Sequence, residues 1–176
     1  MMATAVRPTG VERVLAPDEL IVSKTDAKGV ITYANDVFCR MAAMTEDELL
    51  GQPHNVIRHP DMPRAVFQYL WETISARQEI FAYVNNLGAD GAHYLVFAHV
   101  TATGPVGGPV TGYHSNRRAP AREAIAAVEP VYRVLREIET SHPSSKDGLA
   151  ASTAKLHAIL VEAAMTYDEF VWNVTP

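Results

Sequence analysis

The chain has 176 residues, 48% of them hydrophobic and 20% charged, with a net charge of −5. That is apolar material for one domain with a sizeable core and a helical appendage, and it excludes disorder as the default reading. The negative balance argues against a nucleic-acid binder, which carries a basic stripe; the one local basic cluster, Arg117-Arg118 with Arg122, reads as a solvated helix start.

Residues 1–10 read as variable or disordered, and residues 11–20 as a short cap helix with Val11, Val14 and Leu15 on one side. Residues 20–25 are rich in strand formers, Asp26-Ala27-Lys28-Gly29 is a turn, and residues 30–33 are a second strand, so the three make a hairpin. Asn35-Asp36 opens a helix to about Met44, with Val37, Phe38, Met41 and Ala42 at i, i+3, i+4 spacing. The single cysteine, Cys39, lies in this helix as a small hydrophobe and excludes an intramolecular disulfide. Thr45-Glu46-Asp47-Glu48 is a capping box, and Gly51 stops the short helix that it starts.

Next comes Gly51-Gln52-Pro53-His54-Asn55-Val56-Ile57-Arg58-His59-Pro60-Asp61-Met62-Pro63. A segment this stiff and polar is costly unless its polar groups have partners, so it reads as a built site and not as a spacer. Asp61 is placed to cap a helix with Pro63 in its first turn, and Val66, Phe67, Leu70, Trp71 and Ile74 form the apolar face of that helix. Strands follow at 80–86, 92–100 and 110–115, joined by an Asp90-Gly91 turn and a Gly- and Pro-rich turn at 104–109. From Pro120 the period changes to helical, with Pro130 predicting a kink or break; a loop at 141–148 and a helix over 149–172 complete a helical hairpin. No apolar run approaches the ~20 residues that span a bilayer, and the first ten residues lack the apolar core of a signal peptide. The expected location is the cytoplasm, without membrane insertion.

Four blocks carry a family resemblance. Residues 31–38 (Ile-Thr-Tyr-Ala-Asn-Asp-Val-Phe), 51–63, 112–117 and 124–132 resemble the flavin-binding PAS sensor domains of bacterial aerotaxis receptors, and the likeness covers roughly residues 18–137. It implies an α+β PAS fold: a five-stranded antiparallel sheet with short helices on one face, plus the C-terminal helical hairpin. The expected organisation is an N-terminal cap or disordered segment at 1–17, the PAS sensor domain at 18–118 and a helical extension at 119–173. By the resemblance, Asn35, His54, Asn55, Arg58, His59, Asp61 and Trp71 hold FAD, and the domain reports redox state or oxygen to a downstream signalling protein through the C-terminal helices. The residue types suit that chemistry. Arg58 is a permanent cation with a planar fork, the two asparagines pair donors with acceptors, and Trp71 is a flat apolar wall.

Other readings stay open. Asn35 and Asp61 read equally as helix caps, His54 and Asn55 as partners of loop backbone, Arg58 as the ion-pair partner of Asp61, and Trp71 as core. The family has a tryptophan where this chain has Ile80, and a basic turn where it has Asn85-Asn86-Leu87-Gly88-Ala89-Asp90-Gly91, which leaves FAD, FMN or no cofactor as alternatives. Asp36-Val37-Phe38-Cys39-Arg40 does not match the Asn-Cys-Arg-Phe motif of light-sensing relatives, so no flavin–cysteine photoadduct is expected. The competing function is a cofactor-free PAS module for protein–protein interaction and dimerisation; a third is haem sensing through His93 and His99, which share a strand face. No nucleophile–base pair or metal set points to an enzyme. A homodimer through the N-terminal cap or the C-terminal helices is expected, because an amphipathic appendage must bury its apolar face.

Overall fold

The computed structural model describes residues 6–176. Five strands, β1 (Ile21–Asp26), β2 (Ile31–Ala34), β3 (Ile80–Leu87), β4 (His93–Thr103) and β5 (Gly112–Arg118), form one sheet in the order β2-β1-β5-β4-β3, with every neighbouring pair antiparallel. Strand alternation sends Ser23, Thr25, Val84, Asn86, Ala98, Val100, Tyr113, Ser115 and Arg117 to the inner face, where they share one cavity. Phe81, Tyr83, Phe97 and His99 point outward and stack on one another.

Helices α1 (Asp36–Ala42), α2 (Glu46–Leu49) and α3 (Arg64–Ser75), with a 3-10 turn at His54–Ile57, lie against the inner face. Phe38, Met41, Leu49, Ile57, Val66 and Ile74 are buried in the core between the two layers. The expected capping box is present: Thr45 accepts from the Glu48 N–H, and Glu48 accepts from the Thr45 N–H.

Three helices follow, α4 (Arg122–Ser141), α5 (Ser145–Glu162) and α6 (Tyr167–Val174), where the sequence predicted a two-helix hairpin. The break falls at Thr166, whose capping box with Glu169 starts α6 after Ala164 has turned the chain through φ 51°. Helix α4 runs unbroken through Pro130, which sits on its exposed side; the Ala126 carbonyl that loses its partner there belongs to an exposed residue and is free to meet water. Helix α4 is tied to the edge strand β3 by the Tyr132 hydroxyl, which donates to the Tyr83 carbonyl at 2.9 Å. Helix α5 lies along α3, and α6 packs on the outer face through Trp172, whose ring centroid is 4.8 Å from that of Phe81.

Four local expectations are corrected. Residues 11–20 are not a cap helix: Glu12 bridges in parallel to His93, and the backbone of residues 11 and 13 bonds His93, so the segment spends its hydrogen bonds on the β3–β4 hairpin. Residues 6–10 are also tied down, by Thr9 N–H to Gly91 O at 2.9 Å; residues 1–5 lie outside the described residues. Strand β5 continues to Arg118, which carries Arg117 into the core and not onto a solvated helix start. Asp61 caps nothing, because α3 begins after Pro63 and the Asp61 side chain is 78% exposed. Among the described residues no helix is long and apolar enough to cross a membrane.

Candidate ligand cavity between sheet and helices

The inner face of the sheet, the segment 53–58 and α3 enclose a cavity of about 180 Å³. Its walls are apolar: Ile57, Leu70, Trp71, Ile74, Val84 and Val100. Its mouth lies between Lys28 of the β1–β2 turn and Pro53-His54-Asn55, where Lys28, Pro53 and Asn55 are exposed. Gly29 stands at that mouth for a steric reason. Its φ is +80°, and a Cβ would meet the Trp71 ring at 2.8 Å, so only glycine lets the indole lie there. Trp71 is held edge-on to Tyr113, with ring centroids 5.3 Å apart.

Three polar groups in this wall form a chain. Arg117 Nη2 donates to Ser23 Oγ at 2.5 Å, and Ser23 Oγ lies 3.1 Å from His54 Nε2. A guanidinium only donates, so Ser23 Oγ accepts from Arg117 and uses its remaining hydrogen-bonding capacity on His54 Nε2. Burial, reinforced by the Arg117 cation, pushes the His54 pKa down to about 3, so the ring is neutral. Burial also lowers the Arg117 pKa, to about 10, and the side chain stays a cation at neutral pH. It lies 4.5 Å over the Phe38 ring, with Nε and Nη1 buried and lacking a hydrogen-bond partner. Arg58 is similar: its guanidinium lies 3.8 Å over Phe67, its Nε is buried without a partner, and among the described residues no carboxylate forms an ion pair with it, although the buried Glu139 charge acts on it from a distance. Thr25 Oγ1 and Asn86 Nδ2 are unpartnered in the same wall. Buried polar atoms are ordinarily satisfied, so this cluster offers hydrogen bonds to whatever fills the cavity, water or ligand.

Four of the seven residues named by the sequence, His54, Asn55, Arg58 and Trp71, line this cavity. The other three stand outside it. Asn35 caps α1 and ties it to β1, accepting from Phe38 and Val22 N–H and donating to Leu20 O. His59 is buried against His93, its Nδ1 accepts the Asp61 N–H at 3.2 Å, and burial lowers its pKa. Asp61 faces solvent. The proposed haem ligands share the outer sheet face, opposite the cavity, where His99 pairs with Glu79 at 2.8 Å. Sequence reasoning missed Ser23, Thr25, Asn86 and Arg117; alternation along β5, which sets Tyr113, Ser115 and Arg117 on one face, was the available signal for the last.

A family model described as the PAS fold matches residues 31–115. The five-stranded sheet and its inner-face helices, from Ile21 to Arg118, contain this match and have the PAS fold. The aerotaxis receptor of Escherichia coli strain K12 is 42% identical over 127 residues, 72% of this chain and 25% of the receptor. The nitrogen fixation regulatory protein of Klebsiella pneumoniae is 36% identical over 80 residues, 46% of this chain and 16% of that protein. The chain thus spans a quarter or less of the length of these curated relatives. The dark structure of the blue-light photoreceptor Aureochrome1 LOV superposes on the PAS domain with a TM-score of 0.56 at 19% identity, covering 65% of this chain and 85% of that one, a likeness of fold.

Proposed function

We propose that the PAS domain is a redox- or oxygen-linked signalling sensor that holds a flavin, FAD by the aerotaxis resemblance, with the ring system in the cavity. The observation that carries this reading is the pair of cavity-wall arginines, Arg58 and Arg117, whose unpartnered nitrogens await acceptors. The cavity volume, below the roughly 300 Å³ at which ligand pockets usually begin, suits a ring and leaves the tail of a dinucleotide to exit at the Lys28–Asn55 mouth. A bound flavin supplies one- or two-electron redox chemistry. The chain's own residues do the rest. Trp71, Leu70 and Ile74 give the ring a dry wall on α3, Arg58 and Asn86 present donors, and the neutral His54 is held by Ser23.

The output route in this proposal is α3. The helix carries the cavity wall on one side and is held at its first turn by α4 on the other. A change of ligand charge that biases two settings of α3 would then alter how α4–α6 dock. The test is an absorbance spectrum of freshly purified protein, with mass identification of anything released by heat. Flavin bands and the mass of FAD are the expected result. A colourless protein that takes up no added flavin would leave the competing function, a cofactor-free interaction module.

A further inference from the structure

Arg117 is 2% exposed, its guanidinium makes one hydrogen bond, and it has no carboxylate partner among the described residues. The three cations of the cavity wall, Lys28, Arg58 and Arg117, face no acidic lining residue. Lys28 is exposed at the mouth and Arg58 is half-buried, so Arg117 is the innermost of the three. A buried charge without a partner is costly, and replacing one by an apolar group of like volume is often neutral or stabilising. A fold keeps such a group when something else compensates it.

We infer that Arg117, positioned through Ser23 and His54, is the cation that receives the acceptor edge of the ligand ring, the imide carbonyl side of a flavin, and favours negative charge there. This rests on the flavin reading above. The register supports it. Arg117 pairs across the sheet with Ile21 on one side and Ala98 on the other, two small or apolar neighbours that leave the guanidinium as the polar feature of that level of the wall. Ser23 and Phe38 fix it from β1 and α1. The groups that face His54 are Ser23, the Phe38 ring, Arg117 and Arg58, none of them an anion, so the imidazole cannot serve as a second cation and the acceptor edge is left to Arg117.

The test uses the full chain stripped of bound ligand, with riboflavin, FMN and FAD as probes, and compares wild type with Arg117→Met and Arg117→Lys. Arg117→Met is expected to bind all three at least about tenfold more weakly, by a similar factor for each, because the ring is what they share. Arg117→Lys keeps the charge but loses the fork and falls between. Stripped Arg117→Met is expected to melt no lower than stripped wild type, which shows that the variant folds. In wild type the imide proton of the bound flavin leaves to solvent at lower pH than in free flavin, and in Arg117→Met that shift disappears. Weakening confined to FMN and FAD would place Arg117 at the phosphates and overturn the inference. Unchanged affinity with a lowered melting point would make Arg117 a structural group and overturn it as well. If wild type takes up none of the three probes, the flavin reading itself fails and this inference falls with it; if wild type binds and Arg117→Met binds equally, the inference alone fails.

Discussion

Glu139 caps α3 from 74 residues away: its Oε1 accepts the backbone N–H of Ala65 at 3.0 Å, and its Oε2 lies 3.3 Å from Arg64 Nε. Helix α3 has no side-chain cap of its own, because Pro63 stands at its N-cap position. The first turn of a helix has unpaired N–H groups and favours a negative charge, and α4 provides one, with the Glu139 side chain fully buried. The Arg64 guanidinium continues the connection, donating from Nη2 to the Ser145 carbonyl at 2.7 Å at the start of α5. The helix that forms the cavity wall is therefore clasped by the helices that leave the domain.

Glu139→Ala leaves the Ala65 N–H and Arg64 without their partner and is expected to cost about 2 kcal/mol. Urea unfolding checks the cost. Hydrogen exchange at Ala65 and through α4–α5 should rise while the sheet core stays protected. Loss of protection spread evenly over the sheet would show that Glu139 acts on global stability and not on this clasp.

Gly148 sits where α5 crosses α4, and a Cβ there would meet the Glu139 carbonyl oxygen at 2.6 Å. In an open helix, glycine to alanine gains up to about 1 kcal/mol. Here Gly148→Ala should reverse sign and cost about 1–3 kcal/mol, because the obstructing atom is backbone. A raised thermal midpoint in that variant would refute the close crossing.

Arg58 is nearer to solvent than Arg117 and has a free Nε in the cavity wall. Arg58→Ala is expected to purify with sharply less flavin and an unchanged far-UV circular dichroism spectrum. Titration should show FMN and FAD weakened more than riboflavin, the opposite of the uniform loss expected at Arg117. Full flavin content in the variant removes Arg58 from the phosphate end of the ligand.

The pKa of His54 falls from an ordinary 6.5 to about 3, first through burial and then through Arg117. Below pH 6.5 the unfolded chain takes up a proton that the folded chain refuses. Stability is therefore level above about pH 6.5 and declines as the pH drops toward 3. Burial lowers His59 and His114 as well, which adds to the same slope. Wild type should lose about 1–2 kcal/mol between pH 6.5 and 5, and His54→Gln should lose less. An identical slope in both proteins would assign the effect to other groups.

Local chemistry made much of this fold readable. Strand-forming residues bounded by turn signals located all five strands, the Thr45–Glu48 capping box declared its helix, and the His-Pro segment pointed to His54, Asn55 and Arg58, which line the cavity. The misses have separate causes. Arg117 was weighed by its charge and its neighbours Arg118 and Arg122, although its position in the strand pattern put it inside. The equivalent capping signal at Thr166–Glu169 was passed over within a long helical pattern, so α5 and α6 were read as one helix. Glu139 gave no local signal at all, because its partner lies on an element far away in the chain. Residues 11–20 have a helical scatter of apolar positions, yet the unpaired backbone of His93 claims the segment.

That last segment has a mechanical consequence. Arg13 bonds the His93 carbonyl through its backbone, reaches Asp90 and the Met41 carbonyl with its guanidinium, and has as its neighbour Glu12, which meets Arg122 at the first residue of α4. Entry and exit of the polypeptide are thus buttoned to the same hairpin tip. Lifting α4 away from the domain would mean breaking the Glu12–Arg122 pair or dragging the segment that precedes the first strand along with it.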